Sequence, residues 1–157
     1  SIIDITVTVN GRAQARDVAA IVRDRDGELR KLRDWSSRLP ADCPLLISSS
    51  ATPHRVAELQ AAFGIETVAR SIEEFLSLAA QMLFSEFEVR RFVVAGGETS
   101  GAVTRALGVQ AVRIGPNICP GVPWTETVGQ QRPLALALKS GNFGEPRFFA
   151  EALEMLT

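Results

Sequence analysis

Aspartate runs out early in this chain of 157 residues: all six lie at or before Asp42, and none follows. Any chemistry placed beyond that point must therefore proceed without an aspartate base or metal ligand. Histidine is scarcer still. His54 is the only one, and its place at a helix start reads as a solvated side chain in preference to a catalytic one. The two cysteines, Cys43 and Cys119, match no metal or redox spacing and read as isolated thiols of a cytosolic protein. Formal net charge is −1, which leaves no electrostatic footprint for nucleic acid or an anionic membrane. No apolar run approaches the ~20 residues of a membrane-spanning helix. The opening Ser1-Ile2-Ile3-Asp4 has neither a basic region nor a signal-peptide core, so a cytoplasmic location is expected. Internal repeats, low-complexity tracts, a Walker A loop and a GxGxxG fingerprint are likewise missing.

What is present is an ordinary globular composition, 46% apolar and 22% charged. The length predicts one domain, residues 1–157. Residues 1–9 alternate weakly and read as an edge strand or a linker tail. A helical pattern follows through Val18, Ile21, Val22, Leu29, Leu32 and Leu39; its weak point is Asp26-Gly27, which also suits a hairpin turn. Leu45-Leu46-Ile47 reads as a short buried strand running into Ser48-Ser49-Ser50. Pro53 then opens a helix through Val56, Leu59 and Phe63 that Gly64 ends. Residues 72–87 give the clearest helix, and a strand is expected over residues 109–114, with a Pro/Gly-rich loop over 115–123. Alternation of strands and helices at this spacing predicts an α/β fold, a three-layer α/β/α arrangement with a mostly parallel sheet.

The chain is organised around residues 93–101, Val-Val-Ala-Gly-Gly-Glu-Thr-Ser-Gly. An apolar run over 92–95 reads as a buried strand. It stops at Gly96 and Gly97, which allow backbone angles closed to other residues and let a ligand approach closely. Thr99 or Ser100 then caps a helix through Val103, Ala106 and Leu107. Strand, glycine turn and helix aim free N–H groups and a positive dipole end at a phosphate. Gly97 is taken as the critical position, where a side chain would strain the turn and block the phosphate. Downstream, the apolar run 134–138 ends in Lys139-Ser140-Gly141-Asn142-Phe143-Gly144, and Pro146 suits the first turn of a last helix. Two such edges make an anion site at the carboxyl ends of a sheet.

Gly-Gly-Glu-Thr-Ser-Gly, then Pro120-Gly121-Val122-Pro123, then Lys-Ser-Gly-Asn-Phe-Gly resembles, in that order, the four-carbon acid sugar kinase family. That family was formerly a domain of unknown function, and some members carry a type III effector-like label. The motifs cover roughly residues 92–157. The resemblance implies the C-terminal nucleotide-binding domain of a two-domain kinase, whose N-terminal domain binds the acid sugar. It implies a transferase of carbohydrate metabolism that uses ATP and Mg²⁺ to phosphorylate a hydroxyl of a tetronate or 3-oxo-tetronate.

The expected nucleotide-binding residues are Gly96, Gly97, Glu98, Thr99, Ser100 and Gly101, with Lys139, Ser140, Gly141, Asn142 and Gly144. Glu98, the one carboxylate inside a glycine loop, is the candidate Mg²⁺ ligand; its other reading is a surface glutamate favourable to a helix dipole. Lys139 would neutralise phosphate charge, or else is a solvent lysine ending a strand. Asn142 can serve the turn alone. Trp124 would pack against an adenine ring, against another domain, or simply within the core. No residue stands out as the base, so the domain alone is expected to be inactive. Expected partners are ATP and, through the N-terminal domain, the acid sugar; a homodimer stays open. The alternatives are a stand-alone nucleotide- or anion-binding regulatory module and an effector-like interaction protein.

Overall fold

The computed structural model describes residues 13–40, 44–49, 51–140 and 147–156. The strand or linker expected over 1–9 lies outside them. Packing divides the chain into two compact units, residues 1–79 and 80–157.

In the first unit a two-stranded parallel sheet pairs β1 (Ala13–Ala15) with β2 (Leu46–Ser48). The helical pattern after β1 is two helices, α1 (Val18–Arg23) and α2 (Arg25–Ser36). Neither the continuous helix nor the hairpin at Asp26-Gly27 forms. The break is at Asp24, which ends α1 with its own N–H, donated to the Ala20 carbonyl, and caps α2 with its side chain, 2.9 Å from the Gly27 nitrogen. A Cβ on Gly27 would lie 2.1 Å from Asp24 Oδ2, so the glycine makes room for the cap. Helix α3 (Pro53–Phe63) begins and ends as expected, with Pro53 in its first turn and Gly64 closing it at φ 85°, and Thr52 caps it. Val18, Ala19, Leu59 and Val68 form one buried cluster, with Val22, Phe63 and Ile72 against it.

Helix α4 (Ile65–Glu86) starts earlier than its apolar stripe suggests, directly after Gly64, and the boundary between the units falls inside it. In the second unit a four-stranded sheet has the order β3 (Arg91–Ala95), β6 (Ala135–Lys139), β5 (Val122–Thr127), β4 (Val112–Cys119). Helices α5 (Gly97–Ala106) and α6 (Phe148–Glu154) pack on it. Trp124, Ala137 and Ala152 form a cluster with Val93, Ala135, Leu153 and Leu156. Phe92, Val94 and Leu136 point the opposite way by strand alternation and are buried too, so both faces of the β3–β6 pair are covered, whereas β4 is exposed along most of its length.

The α/β class therefore holds. Within it, the sheet of the second unit is mixed instead of mostly parallel: β3–β6 is parallel, while β5–β6 and β4–β5 are antiparallel. The physical reason lies in the stretch expected to be a loop over 115–123, which is mostly strand. Pro120 and Gly121, the latter at φ 81°, turn β4 tightly back into β5. Proline followed by a positive-φ glycine is the pair that a type II turn requires. A two-residue turn can only join antiparallel neighbours.

Candidate functional site

The site is built where two parallel strands end side by side. Ala95 and Lys139, the last residues of β3 and β6, are partners in register, and the Gly96 N–H donates to the Lys139 carbonyl at 2.8 Å. Two strands whose ends are distant in sequence thus finish side by side at one edge. Gly96 has φ 111° and ψ 129°, angles that L side chains rarely adopt, and it is the N-cap of α5.

Two expectations change here. Neither Thr99 nor Ser100 caps α5, because the glycine turn lets the helix begin at Gly97; Ser100 already donates its N–H to the Gly96 carbonyl, at 2.8 Å, inside the first turn. Nor is Gly97 the constrained glycine. Its φ lies outside the left-handed range and an added Cβ would meet nothing within 4 Å, whereas one on Gly96 would sit 3.3 Å from Thr99 Oγ1. With a glycine at the cap, no side chain of the cap residue accepts from the first turn. The N–H groups of Gly97, Glu98 and Thr99 therefore face outward at the positive end of a ten-residue helix.

Around that terminus, Gly97 and Glu98 are exposed and Thr99 is half-buried. Ser100 is buried, and its hydroxyl has no hydrogen-bond partner among the described residues. Gly101 has a neighbour that sequence reasoning missed. Its Cβ position is 3.3 Å from Nη1 of Arg105, whose side chain reaches back one helical turn. The i, i+4 spacing of Gly101 and Arg105 was the available signal.

Across the edge, Lys139 is not the solvent lysine of the simpler reading: it is only 6% exposed. Its ammonium lies 5.9 Å from the centre of the Phe148 ring and 3.5 Å from the Ser140 carbonyl, to which it donates. A cation held off water beside a strand end is placed to interact with another charge more strongly than a solvated one. Ser140, the next residue, is exposed. Gly141, Asn142, Gly144 and Pro146 lie outside the described residues, as do Cys43 and Ser50.

Glu98 is the only acidic residue in the first turn of α5. Among the described residues no group of three His, Cys, Asp or Glu side chains could hold a metal by itself. His54 is a surface side chain, 85% exposed and 3.5 Å from Glu58. Trp124 is buried, and its indole N–H donates to the Ala152 carbonyl at 2.8 Å, so it serves the core. No helix among the described residues is long and apolar enough to cross a membrane.

Outward N–H groups on a glycine-capped helix, with a desolvated lysine one strand away, suit an anionic group with several oxygens. The chain is 54% identical over 113 residues to a 3-oxo-tetronate kinase of Cupriavidus necator, covering 72% of this chain and 26% of that protein. It is 41% identical over 144 residues to a 3-oxo-tetronate kinase of Pectobacterium atrosepticum, covering 88% and 33%. Among solved structures, a Haemophilus influenzae protein of family DUF1537 superposes with a TM-score of 0.83 at 32% identity, over 92% of this chain and 34% of that one. The chain thus spans about a quarter to a third of the length of the relatives it matches. Residues 6–149 match the model of one family over most of the chain, and the chain belongs to it: the nucleotide-binding C-terminal domains.

Proposed function

We propose that this chain is the ATP-binding part of a kinase that phosphorylates a hydroxyl of a four-carbon acid sugar of the tetronate or 3-oxo-tetronate type. One observation carries the reading: the bond from Gly96 N–H to the Lys139 carbonyl joins the N-terminus of α5 and the buried Lys139 at a single sheet edge. The resemblance to proteins named 3-oxo-tetronate kinase supplies the substrate class.

In this reading the N–H groups of Gly97, Glu98 and Thr99 bind phosphate oxygens, and Lys139 offsets their charge. Such fixed donors need no rearrangement as charge develops during transfer. The Ser100 hydroxyl is a further donor in the same turn. Mg²⁺ fits the residues present in a limited way. Glu98 is one exposed carboxylate, and this ion is commonly held by one or two carboxylates together with substrate phosphates and water. When bound, it would neutralise phosphate charge. The reading assigns the acid-sugar pocket and the base for the acceptor hydroxyl to the remainder of the longer relatives.

The expected outcome is ATP-Mg²⁺ binding by residues 1–157 without phosphorylation of any acid sugar. Calorimetry with ATP-Mg²⁺ and a coupled ADP-release assay on tetronate-type acids test both halves. Turnover by this chain alone would refute the division of labour, and absence of ATP binding would refute the site.

A further inference from the structure

A second anion-binding feature lies in the first unit and uses none of the residues of the glycine edge. Arg16 follows β1 directly. Its backbone N–H donates to the Ser48 carbonyl at 2.7 Å, which continues the parallel β1–β2 register one step past the strands. The Arg16 side chain is 9% exposed and places Nη1 3.5 Å from Oε2 of Glu28 on α2. The Glu28 carboxylate, 7% exposed, also accepts from Lys31 Nζ, at 2.6 Å on Oε1. Lys31 is 68% exposed, so its charge is carried by solvent, and Arg16 and Glu28 form the buried pair.

The other two nitrogens of Arg16, Nε and Nη2, are shut off from solvent and meet no acceptor among the described residues. These two are one edge of the planar guanidinium. Their N–H bonds run side by side, the spacing that grips two oxygens of a carboxylate or phosphate at once. Buried donors in native proteins nearly always have acceptors, and a buried charge lacking them is the costliest exception. A single water offers one oxygen, whereas a carboxylate or phosphate offers two at the spacing of this edge. An amide side chain offers only one oxygen.

We propose that this edge of Arg16 binds a small oxyanion presenting two coplanar oxygens, a carboxylate or a phosphate group, at the carboxyl end of the β1–β2 sheet. Because Nε and Nη2 are closed off from solvent, the anion enters by local opening and exchanges slowly.

The test uses the ¹⁵N-labelled chain. The Arg16 Nε–H resonance is assigned through Arg16→Lys and followed by NMR while inorganic phosphate, and separately acetate, is added at constant ionic strength. The expected result is a new, saturating resonance in slow exchange. Appearance with phosphate alone identifies a phosphate group as the ligand; appearance with acetate alone identifies a carboxylate. If neither anion moves the resonance, water alone holds the donors and the proposal fails. Arg16→Lys keeps a cation for Glu28 but loses the two-nitrogen edge. It should fold and bind the effective anion about tenfold less tightly, read from the anion-induced rise in Tm. Gly97→Val separates this site from the glycine edge. The Arg16 response must persist in that variant, and its disappearance there would overturn the assignment to Arg16.

Discussion

Two adjacent glycines with different jobs make the sharpest test of the nucleotide site. Gly96 holds φ 111° and ψ 129°, and an added Cβ would press on Thr99 Oγ1 at 3.3 Å. Gly96→Ala should therefore strain the fold by about 1–3 kcal/mol. At roughly 2–4 °C per kcal/mol for a chain of this size, the Tm falls by about 2–12 °C. Gly97 has helical angles and open space at its Cβ position. Gly97→Val should leave Tm within the change of about 0.5 kcal/mol that is usual for surface substitutions. Its isopropyl group, however, stands in front of the N–H groups that would receive a phosphate. ATP at about a hundredfold above Kd stabilises the parent by about 2.7 kcal/mol, a rise in Tm of roughly 5–11 °C. Differential scanning fluorimetry of both variants, with and without ATP-Mg²⁺, separates the effects. Gly96→Ala should start lower, while Gly97→Val should start at the parental Tm and fail to rise. A Gly97→Val protein protected as fully as the parent would refute phosphate binding at α5.

Lys139→Ala should weaken ATP by about 1.5–3 kcal/mol while leaving adenosine nearly unaffected, by calorimetry, because a charge-assisted bond is lost only with the phosphates; equal losses for both ligands would count against a phosphate role. Asp24→Ala should cost about 0.5–2 kcal/mol in urea unfolding through the lost cap. Gly27→Ala should destabilise the parent but turn neutral or stabilising in the Asp24→Ala background, where the clash with Asp24 Oδ2 is gone and the helix gains up to about 1 kcal/mol; additive effects would refute the account. Trp124→Phe should lose about 1–3 kcal/mol by leaving the buried Ala152 carbonyl without its indole donor.

Local chemistry was legible wherever one residue type dictates one geometry. Pro53 and Gly64 mark both ends of α3, and the run at 92–95 is a buried strand. The errors came where two signals compete. Thr99 and Ser100 are good caps by composition, but a glycine able to hold φ 111° made the cap earlier and left them inside the helix. Asp26-Gly27 resembles a turn, yet Asp24 captures the Gly27 N–H and starts a helix instead. The prolines and glycines at 115–123 suggested a loop, although an edge strand needs few N–H groups and tolerates Pro116, with register shifts on either side of Asn117. For the candidate site, two edges sharing the carboxyl ends of a sheet were expected, but the register that joins them was not readable. No periodicity within either segment reveals that Ala95 and Lys139 are partners, or that Lys139 is buried beside Phe148.

That pairing also bears on how the binding edge comes into being. β3 and β6 are adjacent and parallel, yet α5 and the whole β4–β5 hairpin intervene in the chain. Local steps can complete α5 and the hairpin on fast timescales, but neither brings Lys139 to Gly96. Only closure of the long crossover does so, and pairings of that kind are the slow, entropically opposed events of folding. The edge is therefore absent from every partly folded form that lacks the β3–β6 ladder. A bound nucleotide would act as a latch on the last long-range contact made, slowing unfolding far more than it speeds folding.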